Sequence, residues 1–240
     1  MNKKILALCS LSLALTVNAL PAAKNSGQKL LAELLLHDLK LNNIESFKKN
    51  LKNCRNVDMI VDSETQETLL HYAALWGRLE FIEVLLEKKA SVDALDHELL
   101  TPLHRAIIEN QTQCAAKLIK HGADVNLADN ESGTPLHAAA FSGFIENLQL
   151  LLNSKANVNA VDKDNITPLH EAAFAGKTES IRELLAYNAD ITVKVNNPKL
   201  TAHGKTALEI AQREGYVEIV TLLQEAEEQQ SVVVETEVSN

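Results

Sequence analysis

Four residues recur in this chain at a spacing of 33. Thr101-Pro102-Leu103-His104 returns as Thr134-Pro135-Leu136-His137 and as Thr167-Pro168-Leu169-His170, and Thr68-Leu69-Leu70-His71 is a variant one step earlier. A weaker fifth copy, Thr206-Ala207-Leu208-Glu209, comes after a longer interval. A strict period of this length marks a small supersecondary unit. One unit cannot bury its own apolar face, so copies must stack. The local chemistry agrees. Thr can cap the free amides of a helix start, and Pro fits the first helical position, where the N–H has no partner anyway. Nine residues after each Thr stands Gly77, Asn110, Gly143, Gly176 or Gly215. Gly, and less readily Asn, takes the left-handed conformation that ends a helix.

A second apolar-periodic run follows each stop, as in Leu79-Glu80-Phe81-Ile82-Glu83-Val84-Leu85-Leu86, whose spacing puts Leu, Ile and Val on one face. A polar link such as Ala123-Asp124-Val125-Asn126 then leads into the next copy. This pattern resembles the ankyrin repeat. The resemblance implies an all-α solenoid of helix-turn-helix units joined by β-hairpin loops. The register is 68–100, 101–133, 134–166, 167–205 and 206–226. The fourth unit is longer because of the segment Val193–Gly204, which reads as an enlarged hairpin loop. Residues 24–67 read as a degenerate N-terminal capping repeat, because terminal units need a polar outer face. Residues 227–240 read as a disordered acidic tail.

The first 19 residues are set apart by composition. Lys3 and Lys4 precede an apolar run from Ile5 to Val17, and Val17-Asn18-Ala19 has the small-residue pattern of a cleavage site. This order is expected of a secretory signal peptide and is too short for a permanent anchor. An exported protein, periplasmic or secreted, follows from it, with no membrane anchor.

Hydrophobic residues make up 46% of the chain but aromatics only 4%, which suits thin stacked helices rather than an α/β core. The formal net charge of −9 disfavours nucleic acid as a partner. Outside the leader only Cys54 and Cys114 remain. Two modules separate them, beyond disulfide reach, so two partly buried thiols are expected.

No constellation of residues suggests catalysis. His71, His104, His137 and His170 occur once per unit, spaced too widely to share a metal ion. By the ankyrin resemblance they are structural groups that tie neighbouring repeats together. His170-Glu171 lacks the second His of a zincin helix, and Asp162-Lys163-Asp164-Asn165 lacks the Gly and distal Glu of a calcium loop. Neither a G-x-S-x-G elbow nor a Gly-rich phosphate loop occurs. The reading is a non-enzymatic protein, with no cofactor and no metal, expected to be monomeric.

The resemblance implies a protein-recognition module whose concave side binds. The residues just before each helix stop place Leu75, Ile108, Phe141 and Phe174 in one line, with Trp76 beside it. Arg105, the loop residue His97 and Lys199 of the long loop complete the candidate contact set. Two roles are open for the aromatic side chains: anchors in an interface, or packing between neighbouring helices. The second repeat, with Ile107, Ile108 and Asn110 in place of the usual small residues, is the candidate for a distortion or a special contact. Three functional settings fit: an exported interaction module, an accessory or inhibitory subunit of a periplasmic enzyme such as one in oxidative-stress defence, or a secreted effector that binds a host protein.

Overall fold

Thr caps the start of five of the six described inner helices, followed by Pro in three of them, and a left-handed residue marks the end of each of those five. The computed structural model describes residues 26–238, with side chains over 27–229. The expected leader, residues 1–19, lies outside the described residues. Twelve helices are described, in pairs. The first pair is α1 (Ser26–Lys40) and α2 (Ile44–Leu51). Then come α3 (Leu69–Leu75) with α4 (Leu79–Glu87), α5 (Pro102–Ile108) with α6 (Thr112–Lys120), and α7 (Pro135–Ser142) with α8 (Ile145–Asn153). The last pairs are α9 (Pro168–Phe174) with α10 (Thr178–Ala186), and α11 (Ala207–Glu214) with α12 (Val217–Val238). The odd-numbered helices pack on one another in one row and the even-numbered helices in a second. The result is an all-α solenoid two helices deep.

Between the rows lies one continuous core. Leu70, Leu103, Leu136 and Leu169 are buried at the same phase of the inner helices, and Leu85, Leu118, Leu151 and Leu184 at the same phase of the outer ones. Each such side chain contributes about 2 kcal/mol of transfer free energy. Phe47 of α2 meets Phe81 of α4 edge-on at 4.8 Å, so the first pair docks on the stack in the same register as the rest.

Left-handed residues recur three times per unit. One set ends the inner helices: Gly77, Asn110, Gly143, Gly176 and Gly215. A second ends the outer helices: Lys89, Gly122, Lys155 and Asn188. The third stands at the loop tips: Gln66, Leu99, Ser132 and Asn165. At Gly176 a Cβ would sit 2.7 Å from the Tyr216 ring, so both conformation and space require glycine. Asn110 has φ 55° against 66° at Gly77, so the second repeat keeps the common geometry.

Two expectations are corrected. The connecting loops do not pair as β-hairpins. Among the described residues only an isolated bridge forms, between Ile60 and Thr68. The reason is local. Each tip closes with two backbone bonds, Asp96 to Leu100 and Leu99 back to Asp96 in the first, with the same pair at Asp129 and at Asp162, and the Asp side chain takes two further donors. A side chain thus does the work of a partner strand. The C-terminal stretch is also not irregular as expected. Helix α12 runs on to Val238, through most of the presumed tail over 227–240. Glu and Gln at 224–230 are good helix formers and extend a helix already nucleated against α10 and α11. Among the described residues no helix is long and apolar enough to cross a membrane.

Candidate functional site: the concave face and its loop tips

The repeat histidines stand buried in the first turn of the inner helices. In each of the four, Nδ1 accepts the N–H of its own capping Thr, at 3.1 to 3.2 Å. That bond requires the ring to be neutral with its proton on Nε2. In three of them Nε2–H then donates to a carbonyl in the loop that closes its own unit and leads into the next: His71 to Leu100, His137 to Ile166 and His170 to Val193, each at 3.0 Å. His104 departs from the expected tie. The Gly133 carbonyl faces its Nε2, but the geometry falls short of a hydrogen bond, and that buried nitrogen is unpaired. Burial lowers all four pKa values, that of His104 to about 4. In the three fully bonded rings both nitrogens are engaged, which leaves no lone pair for a metal. Among the described residues no group of His, Cys, Asp and Glu is placed to hold one.

Arg105 is not a surface contact residue. It is 7% exposed and lies between two buried carboxylates, Glu67 and Asp96. Its Nη2 donates to Asp96 Oδ2 at 2.7 Å. Its Nε lies 2.9 Å from Glu67 Oε1, an ion-pair distance, although the N–H does not point along that line. Thr65 Oγ1 donates to the second oxygen of Glu67 at 3.0 Å. The period of 33 makes Asp96, Asp129 and Asp162 visible in sequence as one set, but nothing periodic marks Glu67, so the triad was hidden.

The expected strip is present along the inner helices. Leu75, Ile108, Phe141 and Phe174 are each half-buried, at one phase of α3, α5, α7 and α9. Phe174 and Trp76 rest against the core cluster. Trp76 also stacks on Tyr72, with centroids 4.9 Å apart, and Lys40 Nζ lies 6.0 Å above its ring. The Trp76 end is therefore already partnered within the chain, and the middle of the strip is more open to an external partner.

The loop tips form a second row. His97 N–H donates to the Thr65 carbonyl, Asn130 to Glu98, Lys163 to Glu131 and Asn196 to Asp164, at 2.7 to 3.1 Å. His97 is exposed, and its ring Nδ1–H bonds the same Thr65 oxygen at 2.9 Å. Lys199 is exposed in the long loop, with its backbone N–H on Asn197 Oδ1 at 2.9 Å. The tips thus carry both candidate residues, away from the apolar strip.

The outer row holds little chemistry. Cys114 is buried, and burial raises its thiol to about 11. Cys54 is half-buried and donates to the Asn56 carbonyl. A shallow cleft of ≈ 260 Å³ lies between the first two full repeats, lined by Gly77, Asn110, Gln111 and Cys114 among others. Asn110 does make a special contact, accepting from Asn147 Nδ2 at 2.9 Å.

A family model described as ankyrin repeats (3 copies) matches residues 18–129, 70–162 and 136–233, nearly the whole chain. No curated protein matches it.

Proposed function

Because the chain belongs to the ankyrin-repeat family, a protein–protein interaction scaffold, we propose that it works by holding a protein partner on its concave face. One observation carries this reading. Leu75, Ile108 and Phe141 are half-buried at one phase of successive inner helices and are not among the side chains of the core cluster. Apolar side chains in line, rimmed by Glu109 and Glu171, have the layout of an interface centre. A photo-crosslinking amino acid in place of Ile108, at the same phase of the neighbouring helix, tests it. The expected result is a discrete adduct with a single partner that disappears when Phe141→Ala is added, while the melting temperature stays near that of the wild type. Truncating such anchors typically costs about 2 kcal/mol of binding, roughly thirtyfold. A collapse of the unfolding transition would assign the Phe141 ring to packing and sink the reading.

We further infer that the protein acts after export. The basic, apolar, small-residue order of residues 3–19 supports this. Helix α1 begins at Ser26, so cleavage near Ala19 would remove no described element. N-terminal sequencing of protein recovered from outside the cytoplasm should begin near Leu20. A chain that still begins at Met1 would overturn the inference.

A further inference from the structure

Three units carry an Asp five residues before the capping Thr: Asp96, Asp129 and Asp162. In all three, Oδ1 accepts two N–H groups of its own loop, at 2.8 to 2.9 Å. The units differ in what stands four residues after the Thr, in the first turn of the inner helix. In the second repeat it is Arg105, whose guanidinium takes Asp96 Oδ2 at 2.7 Å. In the fourth repeat the same position is Glu171. The sign is reversed, so a carboxylate stands where the sister unit has a cation. Glu171 is half-buried, and its side chain makes no hydrogen bond or ion pair with any described residue. Burial pushes its carboxyl up to about 7, and the Asp162 carboxylate, which ionises first, adds to the shift. Phe174 follows within one turn on the same helix, and Phe141 holds the same phase on the neighbouring one.

We propose that Glu171 and Asp162 form a subsite for a basic side chain of the protein partner, an arginine above all, with Phe141 and Phe174 holding its aliphatic stem. This rests on the concave-face reading and gives that partner a chemistry: a segment that alternates apolar and basic residues. The second repeat supplies the template, since a guanidinium satisfies the equivalent Asp there in cis. A planar fork also suits paired carboxylates better than a metal ion does. Calcium would need about six or more oxygen ligands, and one oxygen of Asp162 is already committed to its loop.

The test uses a fluorescent, short amphipathic peptide of leucine and arginine, and a matched peptide in which citrulline replaces every arginine. Anisotropy at physiological salt should show tighter binding of the arginine peptide, and Glu171→Gln should weaken it roughly tenfold, as expected for one charge-assisted contact. Glu80→Gln and Glu87→Gln, exposed on α4, should leave it unchanged. Equal loss from those changes would make the attraction a general effect of net charge, and displacement of the peptide by millimolar calcium but not potassium would make the pair an ion site. Either result overturns the proposal, as does failure of the arginine peptide to bind. If both peptides bind equally and Phe141→Ala releases both, the concave face stands and the basic subsite falls. If Phe141→Ala releases neither, both fall. A second variant needs no ligand. Glu171→Arg should pair with Asp162 as Arg105 does with Asp96, raising the melting temperature by several degrees and abolishing peptide binding. A lowered melting temperature would show that the two positions do not meet.

Discussion

Leu99 holds a branched apolar side chain at φ 61°, on a loop tip where it is 43% exposed. The left-handed region costs an L-residue about 1–2 kcal/mol, and little burial offsets that here. Leu99→Gly should therefore stabilise the protein by up to about 1 kcal/mol, net of glycine's greater freedom in the unfolded chain. Urea denaturation checks it, and an unchanged midpoint would mean the tip is not strained. His104 supports a second test. Its pKa of about 4 lies below the ordinary 6.5, so its contribution is complete above pH 6.5 and is lost as pH falls toward 4. The full loss is about 3 kcal/mol for a shift of this size. Glu171 opposes it, since a carboxyl raised to about 7 gains stability over the same descent. Acidification from pH 7 to pH 5 should thus destabilise the Glu171→Gln variant more than the wild type. Equal slopes would contradict the raised carboxyl of Glu171.

At the scale of elements, the buried triad joins helix α5 to the loop that precedes α3. Arg105→Ala would leave Glu67 and Asp96 buried without their cation, a change that typically costs about 3–5 kcal/mol. Arg105→Met combined with Glu67→Met and Asp96→Asn should recover most of that loss, because Asn still accepts the loop N–H groups and no buried charge is left without a counter-ion. A single variant as stable as wild type would show the triad to be dispensable. What the sequence revealed and what it hid divide along the same line. Thr-Pro starts, Gly stops and Leu spacing are local rules, and they located every inner helix. The roles of Lys89 and Lys155 as helix ends were not legible, because the left-handed turn there is imposed by stacking and not by residue type. Arg105 read as a surface contact because its partners lie in another unit, and Glu67 has no periodic marker. The β-hairpins were carried over with the family resemblance, and the Asp side chains that replace strand pairing stood in the sequence only as turn and loop carboxylates. Phe141 and Phe174 share one phase, but a phase alone does not tell a ring that rests on the core from one that stands off it.

Across the whole molecule, each unit touches only its neighbours, so stability is close to a sum of unit and interface terms. A chain ending at Lys205 loses α11 and α12 and should still fold from α1 to α10, with a urea m-value lower by roughly a sixth. Circular dichroism of that truncation checks it; a fully unfolded product would mean that the last unit is an obligatory cap. The linkages along the stack are unequal at its two edges. At the loop edge, main-chain bonds run from His97 to Thr65, Asn130 to Glu98, Lys163 to Glu131 and Asn196 to Asp164. A second row joins Ser91 to Asp58, Asp124 to Asp93, Asn157 to Asn126 and Asp190 to Asn159. The outer helices are joined by packing and by scattered side-chain bonds such as Gln149 to Glu183 and Arg182 to Glu218. Mechanically the molecule is a book bound along one edge. Its spine resists stretching, while its pages fan apart at the outer helices at small cost, so its curvature can adjust to the girth of whatever it grips without breaking a rung of the binding.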